Sequence, residues 1–214
     1  MSKSLIDGLS QFDLQLPAEI IQKELVFLDE LLRWNQRINL TSITDRAEAI
    51  EKHLIDSLLL LPYVQNSPKI IDLGSGGGLP GIPLAIAISS LQVVSIDSVG
   101  KKINFQKHLK RLLHLENLQV VQSRAENLEQ IPLAEGEYDL VVARAFTSLD
   151  TLLNYAAPWL KPGGRVIAMK GPGGSSELSS AETAIKQNGF TSPEVFSYQL
   201  PFSHAERQLL ILKK

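Results

Sequence analysis

The 214 residues contain no cysteine. That excludes disulfides, thiolate catalysis and cysteine-held metals, and it suits a reducing cytoplasm. Long apolar runs are missing as well. Leu58 to Leu61, for example, is stopped by Pro62, and every run falls far short of the ~18 apolar residues a membrane span requires. The first residues carry Lys3, Asp7 and Asp13 inside a mild apolar pattern and lack the basic start and apolar stretch of a secretory leader. These absences predict a soluble, cytoplasmic chain without membrane contact. An excess of one charge is also lacking: 21 Lys and Arg stand against 23 Asp and Glu. A dedicated nucleic-acid-binding domain usually carries a basic excess, so global charge does not announce an RNA or DNA partner. His53 and Asp56, three apart on a helix, form a possible metal pair, but no third ligand is nearby. A hydrogen-bonded structural pair is the expectation, with no metal.

The chain is long enough for one domain, or one domain with an extension. Ile21, Leu25, Leu28 and Leu32 recur at helical spacing after Pro17, predicting a helix that the polar segment Asn35 to Thr44 breaks. A second helical stretch is expected from about Asp45 to Leu61, ending at Pro62. Beyond Pro68 the pattern changes. Short apolar runs at Ile70 to Leu73, Val93 to Asp97, Leu118 to Val121, Leu140 to Ala143 and Val166 to Met169 show no polar alternation, as in parallel strands covered on both faces. Helical stretches such as Lys101 to Leu115 and Leu149 to Leu160 separate them. This βαβα alternation predicts a doubly wound α/β fold. The tail, with Glu194 to Tyr198 and Gln208 to Leu212, predicts two further strands, antiparallel at one sheet edge. The boundary between helical extension and α/β domain falls at residues 1–66 and 67–214.

Five glycines crowd into Gly74-Ser75-Gly76-Gly77-Gly78-Leu79-Pro80-Gly81, directly after Asp72-Leu73. A glycine-rich turn between strand and helix lets backbone approach a ligand where a Cβ would collide. Two parses are open. Gly76 to Gly81 matches G-x-G-x-x-G, the dinucleotide fingerprint, which implies an NAD(P)-dependent oxidoreductase. Gly74-x-Gly76-x-Gly78, with Asp72 two residues ahead, implies a methyltransferase using S-adenosylmethionine. The second has its first glycine directly after the strand, and no Tyr-x-x-x-Lys proton donor supports the first. Asp97, ending the second strand, is placed to accept hydrogen bonds from ribose hydroxyls under either parse.

Further segments narrow the choice: Trp34 to Thr41, His53 to Leu58, Gly78-Leu79-Pro80-Gly81-Ile82-Pro83, Asp97 to Lys102, Gln122 to Glu126, Ala143-Arg144-Ala145-Phe146 and Leu160 to Gly164. Together, in this order and spacing, they resemble the bacterial ribosomal RNA small-subunit methyltransferase G family, also called glucose-inhibited division protein B, over nearly the whole chain. The resemblance implies a Rossmann-like class I S-adenosylmethionine methyltransferase sheet with a helical N-terminal extension. It also implies methylation of N7 of one guanine in 16S ribosomal RNA, with S-adenosyl-L-homocysteine as product. By position it implies cofactor contacts at Gly74, Gly76, Gly78, Leu79, Ala125, Glu126 and Arg144, with Asp97 at the ribose. A methyltransferase acting on another RNA or a small molecule, and a non-catalytic RNA-binding module, are the remaining alternatives.

Guanine N7 bears a lone pair and no proton, so methyl transfer to it needs no general base. The lack of a Ser–His or paired-carboxylate constellation agrees with that. Where amino-group methylases carry an Asn/Asp-Pro-Pro-aromatic motif, this sequence has Ala143 to Phe146. Arg144, at that strand end, is the candidate for shaping the target pocket, through guanine O6, a phosphate or the cofactor; a structural pairing with Asp72 or Asp97 is the plainer role. Lys101 to Arg111 holds five basic residues and no acid, a local patch for RNA phosphates. Lys101, Lys102 and Lys170 are candidate RNA contacts, with Lys161 and Arg165 extending the patch, and Asn39 is a candidate in the pocket. Weak overall basicity implies that 16S RNA is met within the 30S subunit or its precursor by a monomeric enzyme. The loop Gly171 to Ser176 is expected to be mobile.

Overall fold

The computed structural model describes residues 2–125, 127 and 135–214. Its centre is a seven-stranded sheet in the order β3-β2-β1-β4-β5-β7-β6. The strands are β1 (Lys69–Leu73), β2 (Gln92–Asp97), β3 (Leu118–Gln122), β4 (Tyr138–Arg144), β5 (Leu160–Lys170), β6 (Glu194–Gln199) and β7 (Glu206–Lys213). Strands β1 to β5 pair in parallel, whereas β7 runs antiparallel between β5 and β6. The tail therefore forms the expected antiparallel pair at one edge.

Strand side chains point alternately to the two faces, and on the central strands β1, β2 and β4 both faces are buried. Ile70, Val93, Leu140, Val142 and Ile167 enter one core, and Ile71, Val94, Val141, Ala143 and Val166 the other. The second face is covered by α8 (Leu149–Ala156) and α9 (Glu177–Gln187). The first is covered by α6 (Gly81–Ala87), α7 (Gly100–Leu112) and the N-terminal helices α1 (Ser2–Ser10) and α2 (Ala18–Ile38). Leu25, Leu28 and Leu31 of α2 share one continuous core with Ile82 and Leu84 of α6. Trp34 of α2 lies over Phe105 and His108 of α7, with ring centroids 5.4 and 5.1 Å apart. Residues 2–66 thus contribute a layer of the sheet's own core.

The helix α2 ends at Ile38, inside the polar segment expected to break it. The Asn35 Oδ1 accepts from the Leu40 and Thr41 amides at 2.6 and 2.9 Å, closing the helix end where Asn39 turns left-handed at φ 50°. The second helical stretch changes pitch: α3 (Arg46–Ala49), N-capped by Asp45, runs through a π-helical segment (Ile50–Ile55) into α4 (Asp56–Leu58). Pro62 does not end it, because Pro62 sits in the first turn of α5 (Leu61–Val64), where the missing N–H costs nothing. The Gly171 to Ser176 loop folds into a 3₁₀ turn (Gly174–Ser176) opening α9, held by the Gln208 side chain on the Ser175 amide at 2.8 Å.

Candidate active site

The glycine loop leaves β1 by crossing the end of β2: the Gly74 and Ser75 amides both donate to the Ile96 carbonyl, at 2.9 and 3.0 Å. Gly74 has φ 72°, in the left-handed region that favours glycine, and an added Cβ would run into the Phe146 ring. Beneath the loop, buried Asp72 accepts from the Gly81 amide at 2.8 Å. Its other oxygen has no partner among the described residues, and burial pushes this carboxyl up to about 7 against the pull of that amide. Asp97 ties the loop to α7, accepting from the Gly76 amide at 2.9 Å and the Val99 amide at 2.8 Å, with Lys102 Nζ 3.9 Å away. Gln106, buried on α7, donates to Ser75 Oγ and the Gly76 carbonyl, both at 2.8 Å, and accepts from Ser95 Oγ at 2.7 Å. The loop is a preorganised cradle, pinned from three sides.

Above it lies a cleft of about 440 Å³ lined by Gly74, Asp97, Lys102, Ala125, Ala145 and Phe146, among others. It occupies the carboxyl ends of the parallel strands, where open α/β sheets bind ligands. A second cavity of about 350 Å³ adjoins it and shares Ala145, which bends away from β4 at φ 48°. Its wall brings together His53 and Asp56 from the N-terminal helices, Arg144 from β4, Lys170 from β5 and Arg207 from β7.

Arg144 organises this cavity. Its Nη1 donates to the Lys52 carbonyl at 2.9 Å and lies 3.8 Å from Asp56 Oδ2, while Nη2 is 3.5 Å from His53 Nδ1. The Arg207 Nε stands 3.8 Å from the same Asp56 oxygen, and the Tyr198 hydroxyl donates to Asp56 Oδ1 at 2.8 Å. Burial, then the Arg144 charge, hold the His53 imidazole down at about 4. Its Nε2 is 2.9 Å from Thr41 Oγ1. Lys170 is bound to the Thr147 carbonyl and Glu177, at 2.8 and 2.9 Å.

The predicted site residues separate accordingly. Gly74, Asp97 and Ala125 line the first cleft, and Lys102 stands at its rim. Gly76 meets it through Asp97. Gly78 and Leu79 are buried behind the loop, where a Gly78 Cβ would strike Ile82. Glu126 lies outside the described residues. Lys101 is exposed on α7 and Asn39 is exposed at the α2 end. Arg144 and Lys170 line the second cavity. Arg144 pairs with Asp56, not with Asp72 or Asp97, and His53 and Asp56 each bond other partners instead of one another. Lys161 and Arg165 do not extend the α7 patch: they belong to β5 and are bound to Asp139 and to the Tyr63 carbonyl. Arg207 and Gln106 escaped the sequence reading. Arg207 sits in a plain tail strand, and the one hint at Gln106 is an amide between the apolar positions Ile103 and Leu109. Among the described residues, no group of three or more His, Asp and Glu is placed to hold a metal ion, and no helix is long and apolar enough to cross a membrane.

The sequence model of the family described as rRNA small subunit methyltransferase G matches residues 20–210. The chain belongs to that family. It is 43% identical to the ribosomal RNA small subunit methyltransferase G of Syntrophotalea carbinolica, over all of this chain and 98% of the relative. It is 39% identical to the protein of that name from Geobacter sulfurreducens, over 96% and 94%. In fold it is similar to an O-methyltransferase from Bacillus cereus solved in complex with SAH, with a TM-score of 0.64, 15% identity and full coverage of both chains. A SAM-dependent methyltransferase from Aquifex aeolicus matches with a TM-score of 0.54 and 16% identity, over 74% of this chain and 89% of that one. For the methyltransferase G family member described here, the antiparallel β7 also speaks against the dinucleotide parse, whose sheet runs 3-2-1-4-5-6.

Proposed function

We propose that this chain transfers the methyl group of S-adenosylmethionine to N7 of one guanine in small-subunit ribosomal RNA. The observation that carries the reading is the meeting at Ala145 of a glycine-floored cleft and a cation-lined cavity, in a member of the methyltransferase G family. The residues present fit the cofactor. Gly74 packs its bare backbone against the Phe146 ring and nothing stands within 4 Å of where a Gly76 Cβ would lie, Asp97 offers a carboxylate at the end of β2, and Ala125 adds an apolar wall. When bound, the cofactor supplies an electrophilic methyl on a sulfonium. Gly74 and Gly76 would hold it through backbone and Asp97 through the ribose, while Gly78 and Leu79 shape the loop from behind.

The acceptor brings its own lone pair, so the chain need only orient it. Asp56, the carboxylate of the second cavity, is faced by two guanidiniums and a hydroxyl; burial raises its pKa against their pull, but guanine N7 carries no proton for it to take. Arg144 presents donors to guanine O6, leaving N7 free toward Ala145. Lys101 and Lys102 contact RNA phosphates beside the cleft, and Asn39 and Lys170 flank the RNA. The enzyme acts as a cytoplasmic monomer on the 30S subunit or its precursor.

Mass spectrometry of 16S RNA from a strain lacking the gene tests the reaction. One 7-methylguanosine is expected to disappear and to return on complementation; an unchanged 7-methylguanosine content overturns it. Equal methylation of naked 16S RNA and of 30S particles would overturn the particle preference.

A further inference from the structure

We infer that Asp56 is the residue that reads the target base as guanine, by accepting hydrogen bonds from its N1–H and 2-amino group. The inference rests on the guanine-N7 reading above. Asp56 is 3% exposed, yet it lines the second cavity. A carboxylate has about four acceptor positions, and the Tyr198 hydroxyl occupies one on Oδ1. Both guanidiniums stop 3.8 Å from Oδ2. At that distance they neutralise the charge without hydrogen-bonding. The arginines offset part of the cost of burying this carboxylate and leave its acceptor positions unsaturated, which suits recognition of a neutral base bearing two adjacent donors.

The order of groups around the cavity matches the order of atoms around guanine. Along one side of that base come the 2-amino group, N1–H, O6 and then N7. In the cavity Asp56 lies beside Arg144, and Arg144 is followed in the chain by Ala145, where the cofactor cleft begins. With the donors on Asp56 and O6 on Arg144, N7 is left facing Ala145. Adenine inverts both contacts: its amino group would meet the Arg144 donors, and its N1 lone pair the carboxylate. The π-helical segment fixes the pairing, because Lys52, within it, gives its carbonyl to Arg144, while Asp56 directly follows it. Such segments recur at functional sites.

The test uses 30S particles reconstituted with the target guanosine replaced by inosine, which lacks only the 2-amino group. The full-length protein is expected to lose about tenfold or more in kcat/KM on inosine, because a site built to accept a hydrogen bond rejects the analogue lacking it. Asp56→Asn should slow guanosine methylation and bring the guanosine-to-inosine ratio close to one. Rates on the two substrates within twofold for the unaltered protein overturn the inference, and this arm needs no variant to fold. Asp56→Asn slowing both substrates equally, with the ratio preserved, reduces Asp56 to a structural role and overturns it too. Failure of the unaltered protein to methylate guanosine would instead overturn the function reading.

Discussion

Replacing Gly74 by alanine tests the cofactor cleft most directly. The new methyl group meets two obstacles. The backbone there has φ 72°, and holding a non-glycine residue left-handed costs about 1–2 kcal/mol. The methyl would also lie within 2.8 Å of Phe146 Cγ and Cε2, so the ring must swing aside. That loosens its contact with Tyr155, whose ring centroid is 6.5 Å away, and such a pair contributes about 0.5–1.5 kcal/mol. The total is about 1.5–3.5 kcal/mol. A chain of this size loses about 2–4 °C in Tm per kcal/mol, so the melting temperature should fall by ~3–14 °C. Total stability of about 5–15 kcal/mol leaves the protein folded. The displaced ring enters the space the cofactor requires, and the affinity for S-adenosylhomocysteine should drop at least tenfold, or ~1.4 kcal/mol. Calorimetric titration with S-adenosylhomocysteine, beside thermal melts with and without it, measures both effects. Undiminished affinity in a folded Gly74→Ala protein would refute the placement of the cofactor against Gly74 and Phe146.

Two further predictions concern buried acids. Asp72, held up at about 7 by burial, keeps its proton longer folded than unfolded, where a carboxyl titrates near ~3.9. Its contribution to stability is complete below that lower value and disappears as pH rises through about 7. Asp72→Asn, neutral at every pH, should therefore gain Tm relative to the parent between pH 5 and pH 8, and a difference constant across that range would show that the carboxyl is already charged at pH 5. Glu24 is fully buried in α2 with neither carboxyl oxygen partnered among the described residues, and burial raises its pKa well above the usual carboxylate range. Glu24→Leu removes a desolvated polar group worth about 1–3 kcal/mol and should raise the melting temperature; a lower one would reveal a partner for that carboxyl.

The parallel strands were legible because burial on both faces writes them as short apolar runs, and the glycine loop because a backbone cradle tolerates few side chains. The tail strands were legible from their lack of helical spacing. The pitch change at Ile50 to Ile55 was not, since π-helical bonding follows from tertiary packing and leaves no propensity signal. The end of α2 was legible in the polar segment from Asn35, but the means was not: the Asn35 amide that usually competes with a helix here closes it, six residues from Thr41. The second cavity was half legible. Arg144 stood out at a strand end, but its partners arrive from residues 52–56 and from Arg207, separations that no spacing rule connects. Asp56, three residues from His53, suggested a local pair, whereas both side chains turn to contacts distant in sequence.

Strand β7 has a consequence for synthesis. It follows every other strand of the sheet in the chain, yet it sits inside the sheet between β5 and β6. A growing chain cannot complete the sheet until residues 206–213 have emerged. Until then β5 keeps an open edge and β6 has no neighbour, and unpaired edges invite association with other chains. Arg207 lies on this strand, so the charged wall of the second cavity is assembled in the same late step that seals the sheet. A nascent chain halted before residue 206 would carry the whole glycine cradle but neither a closed edge nor a finished cavity, and it would be prone to aggregation in place of activity.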